Sequence, residues 1–413
     1  MRRVGMFVWN TFTNDARVLR ECTALAEAGN HVDLYCLNDG TLPAMEYHPG
    51  DFRIIRIERT PPFETILRRL KKRNLVTLLA GAGLFLFIPW LIPIVVILYV
   101  LQKSRFIRYA LYNSFGIVRM TRAARKRNYD IVHANDLNTL PQAILAAKGA
   151  KIVYDSHEVQ TDRTGYGKGQ GGLERHLLRF VDRTMVENDT RADYHASLYG
   201  ERPAVLHNYP FYHEEVPQPR SVHQEIGIKE DEPILLYQGG IQEGRGLERL
   251  IEAMPFVRRG TLLFVGDGKI KPRLQELAAH SPERKRIHFI DKVPLDQLPS
   301  YTAAATVGFQ VLQNVCFNHY SASSNKLFEY MAALVPVVAA DLPEIRRVVE
   351  TEGVGLLVDV ESPEAIAVAV NQIVEEDGLR QAMKERTKQA RRKYNWDKEK
   401  HHLLDVYREI TKY

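Results

Sequence analysis

Residues 324–333 read Ser-Asn-Lys-Leu-Phe-Glu-Tyr-Met-Ala-Ala and run into the apolar stretch Leu-Val-Pro-Val-Val-Ala-Ala at 334–340. The first part has the pattern of a helix opened by serines, the second that of a short buried strand. At about 100° per residue, Asn325, Lys326 and Glu329 share one arc, while Leu327, Phe328 and Met331 take the opposite side. The polar arc falls in the first helical turns, where free N–H groups and the helix dipole attract anions. A lysine there strengthens that attraction. A glutamate beside a phosphate site suits the hydroxyls of a ribose. The alternative is a Lys–Glu pair on an exposed helix face.

The other candidate groups sit where strands hand over to helices. Residues 234–237, Ile-Leu-Leu-Tyr, form a strand, followed by Gln-Gly-Gly-Ile-Gln-Glu-Gly-Arg-Gly at 238–246 and a helix over 247–254. Such a turn lets backbone N–H groups approach a phosphate at Gly239 and Gly240, and Arg245 adds charge. Near the start, a strand at 4–9, a helix at 16–28 and a strand at 31–36 make a βαβ opening. Asn14, Asp15 and Arg17 follow the first strand, at the edge where open α/β sheets bind ligands. They are candidates to hold an acceptor; the alternative is Asp15 as helix N-cap with Arg17 on the surface. Further strands at 130–134 and 151–155 end in Asn135-Asp136 and Ser156-His157-Glu158. Asp136 and His157 are therefore the candidate catalytic groups, His157 as general acid/base or sugar-hydroxyl ligand. The glycine-rich stretch 164–172 reads as a loop near the same rim.

The 413-residue chain has room for two or three domains. Its net charge of +6 suits an acidic substrate or an anionic surface. No basic stretch interleaved with aromatics forms a nucleic-acid module, so no nucleic-acid partner is expected. Cys22, Cys36 and Cys316 have neither disulfide-framework nor zinc spacing, which fits a reducing compartment. Met1-Arg2-Arg3 leads straight into a strand, so no signal peptide is expected. Residues 75–101 are almost uninterruptedly apolar and carry no charge; basic clusters flank them at 68–73 and at Lys103, Arg105 and Arg108. The run is long enough to span a bilayer. Strands on either side must share one sheet, however, and both flanks are basic, so both belong on the cytoplasmic side. Pro89 and Pro93 break the middle. The expectation is a re-entrant or interfacial hairpin; the alternative is a buried core helix.

Taken together, the opening Asn14-Asp15 with Arg17-Val18-Leu19, the 239–246 turn before Leu-Ile-Glu-Ala, Gly266-Asp267-Gly268, the 325–329 helix before Val-Pro-Val-Val, and Trp396 with the last helix resemble the retaining glycosyltransferases of the GT-B fold, glycosyltransferase family 4. The resemblance covers the chain outside the apolar run. It implies an α/β protein of two Rossmann-like domains with a cleft between them, to which this chain adds an apolar membrane-associated helical insert. The domains fall at 1–210 on the acceptor side and 221–393 on the nucleotide-sugar side, with a helix at 394–413 returning to the first. It implies that Glu329 binds the ribose and that Lys326 and Arg245 hold the diphosphate. Two positions depart from the family: Ser321 stands at the first glutamate of its Glu-x7-Glu motif, and Gly240 where an arginine is usual. The expected activity is transfer of a sugar from a nucleotide sugar to a lipid or polyprenyl-linked acceptor at the cytoplasmic face of the membrane. No metal and no cofactor are expected. The alternatives are a transferase with a soluble acceptor, a catalytically weak membrane-bound nucleotide-binding scaffold, and an epimerase of the same fold.

Overall fold

The computed structural model describes residues 1–13, 15–61, 104–159 and 169–412. The chain forms two compact units, Met1–Asp155 with His176–Thr184, and Ser156–Arg175 with Met185–Tyr413.

The first unit carries β1 (Arg3–Phe7), α1 (Ala16–Glu27), β2 (His31–Asn38), β3 (Met45–His48), β4 (Phe52–Glu58), α2 (Arg105–Arg125), β5 (Ile131–Asn135), α3 (Leu140–Ala147) and β6 (Lys151–Ser156). Its strands lie in the order β3-β4-β2-β1-β5-β6. The β1–β2, β1–β5, β2–β4 and β5–β6 pairs are parallel; β3 runs antiparallel to β4. Parallel strands are covered on both faces, so they are apolar nearly throughout. Phe7, Tyr35, Val132, Ala134 and Tyr154 accordingly share one core with Met120 and Ala124 of α2. The pair β3–β4 has no counterpart in the expectations above. Phe52 and Ile54 are buried, but Arg53 lies between them and Arg56 falls on their own buried face, and both charges are met only in the fold. Arg53 pairs with Asp33 of β2, and Arg56 with Glu46 of β3 at 2.7 Å.

Next along the chain come α4 (Gly169–Leu177), β7 (Arg183–Val186), α5 (Asp189–Tyr199), β8 (Ala204–Val205), β9 (Ile234–Gln238), α6 (Leu247–Ala253), β10 (Thr261–Val265), β11 (Ile287–Ile290), α7 (Leu298–Ala303), β12 (Val307–Gln310), α8 (Asn325–Ala332), β13 (Val337–Ala340), β14 (Gly355–Val358) and α9 (Trp396–Glu409). The second sheet is parallel, in the order β11-β10-β9-β12-β13-β14. Its order reverses between β9 and β12, the switch point at which open α/β sheets bind ligands. Within the second unit, α9 is tied to the chain at 207–210: the Trp396 amide donates to Pro210 O and the His207 amide to Glu399 Oε1.

The expected loop at 164–172 is corrected in part, because Gly169 opens α4. The helix is held by a tertiary contact that local composition does not show: Glu174 is buried and accepts from Tyr199 Oη at 2.7 Å. The expected membrane insert at 75–101 lies outside the described residues. Among the described residues no helix is long and apolar enough to cross a membrane.

Candidate functional site

In the second unit, apolar β9 delivers the chain to the glycine turn. The turn is shaped by backbone bonds, Gly239 N–H to Val265 O and Ile241 N–H to Asp267 O, both 2.9 Å. Gly246 has φ +66°, and a β-carbon there would stand 2.3 Å from the Val311 carbonyl oxygen, so only glycine fits. Gly240 offers its carbonyl to Tyr237 Oη at 2.8 Å.

Helix α8 points its first turn at this loop. Ser324, its N-cap residue, makes no side-chain cap bond, and the Leu327 amide donates to the Ser324 carbonyl at 3.1 Å; the helix start still presents its positive dipole end to an anion. Asn325 lies exposed at the helix start. Lys326 is buried, with Nζ 5.2 Å from the centroid of the Tyr237 ring. Its side chain also passes within about van der Waals contact of Gly239: Cδ is 3.7 Å from where a β-carbon would stand. Burial, and secondly the charge of Arg245, bring the Lys326 amine down to about 7, with Glu329 opposing them. Burial also pushes the Tyr237 phenol up to about 12 against the pull of Arg245. Glu329 is fixed from below: Oε2 accepts from Gln238 Nε2 at 2.6 Å, and Gln238 Oε1 accepts from Thr302 Oγ1 of α7 at 2.7 Å. The fold thus gathers Gly239, Gly240, Arg245, Lys326 and Glu329 at one edge of one sheet. Lys326 does not form the exposed ion pair of the alternative reading. Sequence reasoning missed Gln238, Thr302 and Tyr237. For Gln238 a signal existed, a polar residue ending an otherwise apolar strand just before the turn.

Ser321, at the position of the first motif glutamate, is fully buried. Its Oγ donates to Phe317 O at 2.8 Å and accepts from Arg191 Nε at 3.2 Å, while its carbonyl accepts from Asn188 Nδ2 at 2.7 Å. Arg191 also donates to Glu187 Oε2 and to the carbonyls of His157 and Asn318.

In the first unit, Asp15 caps α1, with Oδ1 accepting from the Val18 amide at 3.1 Å and Oδ2 from Asn10 Nδ2 at 2.8 Å. Asn14 lies outside the described residues. Arg17 is not on the surface: it is 6% exposed and grips Asp155 with Nε and Nη2, both at 2.7 Å. Nε also lies 3.1 Å from Glu21 Oε1. Glu21, His133 and Asp155 offer ligand atoms within 4.8 Å of one another. A metal ion accepts that spacing, but the Arg17 guanidinium already supplies countercharge to both carboxylates. Asp136 follows β5 with φ +65°, unusual for a side-chain-bearing residue. Its amide donates to Asp155 O at 2.8 Å. His157 falls in the other unit from Asp136.

Residues 220–390 match the family model described as glycosyl transferases group 1, and residues 76–209 match that described as Glycosyltransferase Family 4. The chain is 27% identical over 187 residues to an uncharacterized glycosyltransferase of Methanocaldococcus jannaschii, covering 44% of this chain and 46% of that protein. It thus spans about half the length of that curated relative. It is 25% identical to the phosphatidyl-myo-inositol mannosyltransferase of Mycolicibacterium smegmatis over 69% of this chain and 72% of that one. Among solved structures it superposes on Anabaena Alr3699/HepE in complex with UDP and glucose, with a TM-score of 0.71 at 13% identity over 99% of this chain and 100% of that one. The fold is therefore the two-domain, GT-B-like arrangement of parallel sheets, built from domains that match glycosyltransferase families.

Proposed function

We propose that this protein is a glycosyltransferase that moves a sugar, with retention at the anomeric carbon, from a nucleotide sugar to a lipid or lipid-linked acceptor at the cytoplasmic face of the membrane. The observation that carries the reading is the meeting of Lys326, Arg245 and Glu329 at the switch-point edge of the second sheet. Breaking a sugar–phosphate bond leaves a nucleoside diphosphate whose growing negative charge must be stabilised. The α8 amides, Lys326 and Arg245 would take that charge, and Glu329, held by Gln238, would take the ribose hydroxyls. The UDP in the Anabaena structure supports a nucleotide-sugar donor. The name of the Mycolicibacterium relative supports a lipid acceptor, as do the apolar run at 75–101 and its basic flanks. Asp136, in the first unit, and His157, in the second, would be the catalytic groups, His157 as acid/base or hydroxyl ligand. Asp15 and Arg17, with side chains committed to α1 and β6, would shape the acceptor side rather than bind it.

One observation favours a second reading, a nucleotide-binding scaffold of low catalytic power: Ser321 is fully engaged by Phe317, Arg191 and Asn188. Incubation with radiolabelled UDP-glucose, UDP-galactose, UDP-N-acetylglucosamine and GDP-mannose, in the presence of membrane lipid extract or soluble sugars, separates the two. Label moving to the organic phase is the expected result. Binding without transfer or donor hydrolysis would leave the scaffold. Transfer to soluble sugars alone would refute the lipid acceptor.

A further inference from the structure

Two glutamines end the adjacent strands at the switch point, Gln238 on β9 and Gln310 on β12. Both are buried, at 0% and 1% exposure. Gln238 is bonded at both ends, to Glu329 and Thr302. Gln310 has a hydrogen-bond partner at neither Oε1 nor Nε2 among the described residues. A buried carboxamide with no partner at either atom is costly, because both groups lose water without replacement. An apolar side chain of the same size would be the stabilising choice in a purely structural position.

The direction of Gln310 follows from strand alternation. A β-carbon on Gly308 would stand 2.6 Å from the Tyr330 ring, so that face of β12 looks at α8. Gln310, two residues on, lies on the same face, about 6.6 Å nearer the carboxyl end of the strand. Lys326 lies four residues before Tyr330, about 6 Å back along α8. Its contact with Gly239 sets that end of the helix at the carboxyl ends of the strands. Gln310 therefore stands at the level of Lys326, under the first turn of α8. Resting on the donor-site reading above, the geometry points to Gln310 as a further donor-binding residue that takes the phosphate–sugar end of the nucleotide sugar. Nε2 donates to a phosphate oxygen beside Lys326, and Oε1 accepts from a hydroxyl of the transferred sugar. A carboxamide suits this junction because it offers one donor and one acceptor to a ligand that presents an anion next to hydroxyls. Ser321 Oγ, from the preceding segment, is already committed.

Gln310→Leu and Gln310→Met, each close to glutamine in volume, test the assignment through stability and affinity together. The wild-type protein is first matched to its donor among UDP-glucose, UDP-galactose, UDP-N-acetylglucosamine and GDP-mannose. Both variants should keep or raise the Tm of the unliganded protein. The Kd of the matched nucleotide sugar should rise about tenfold or more, the loss of one or two bonds to a charged or hydroxyl partner. The Kd of the nucleoside diphosphate should rise less, and that of the monophosphate should stay within about twofold. A fall in Tm with unchanged affinity in both variants would make Gln310 structural and overturn the inference. An equal penalty on the monophosphate would also overturn it. If Glu329→Ala and Lys326→Ala abolish binding while both Gln310 variants bind as wild type, the donor site stands and only this assignment fails. Absence of binding by the wild type to all four donors would overturn both.

Discussion

Donor affinity should depend on pH through a single buried amine. Lys326 is 8% exposed, over the Tyr237 ring, and titrates at about 7 instead of its usual 10.5 because burial and Arg245 disfavour its charge. In the empty site it is therefore about half charged at pH 7. A diphosphate beside it restores the charged form, so above pH 7 binding must take up a proton. Apparent Kd should then rise about fivefold from pH 7 to 8 and close to a further tenfold from pH 8 to 9, reaching about 50-fold at pH 9, until the pKa of the bound state is met. The sign for stability is separate. The folded pKa lies below the unfolded one, so between about 7 and 10.5 the unfolded chain holds the extra proton and the stability of the unliganded protein rises with pH. Isothermal titration with UDP at pH 7, 8 and 9, in buffers of different ionisation heat, reads both affinity and proton uptake. Lys326→Arg keeps its charge throughout and should flatten the profile. A wild-type Kd constant from pH 7 to 9, with Lys326→Ala still weakened, would refute the argument: the lysine would then be charged in the empty site despite its burial.

Glu329→Ala should lower turnover about tenfold or more, the loss of a charge-assisted bond to the donor. Gln238→Ala should act in the same direction through KM, since it removes the 2.6 Å donor that orients Glu329, and normal kinetics in both variants would argue against the ribose assignment. Arg17→Met should destabilise the protein by about 3–5 kcal/mol in a denaturant titration, because it leaves Asp155 and Glu21 charged and buried. Adding Asp155→Asn should recover part of that loss, and simple additivity would count against a coupled pair. Replacing residues 75–101 by a short polar linker should release the protein from sedimented membranes while donor binding is kept. Retention on the membrane would assign attachment to another surface.

Several features follow from the residues alone, because they depend on neighbours in the chain. Apolar runs of strand length at 234–237 and 287–290, the glycine turn at 239–246 and the amphipathic stretch at 325–332 each carry a local period or a local steric demand. They place Arg245, Lys326 and Glu329 at an anion-binding turn and helix start, and their order along the chain carries the resemblance to a two-domain GT-B-like fold. Only the tertiary structure decided what those side chains meet. Lys326 is buried because the α8 turn comes down on Tyr237 from a strand about ninety residues earlier, and that burial moves its pKa. Arg17 has the sequence signature of a surface residue at a helix start, yet Asp155, 138 positions away, draws it inside. Asp15 caps its own helix, a local role that any ligand role must respect. The strands β3 and β4 escaped notice for the same reason, since their arginines become compatible with burial only once Asp33 and Glu46 are placed opposite them. Periodicity reports which face a residue takes; whether that face meets water, a countercharge or an aromatic ring depends on segments distant in the chain, and charge and pKa depend on that encounter.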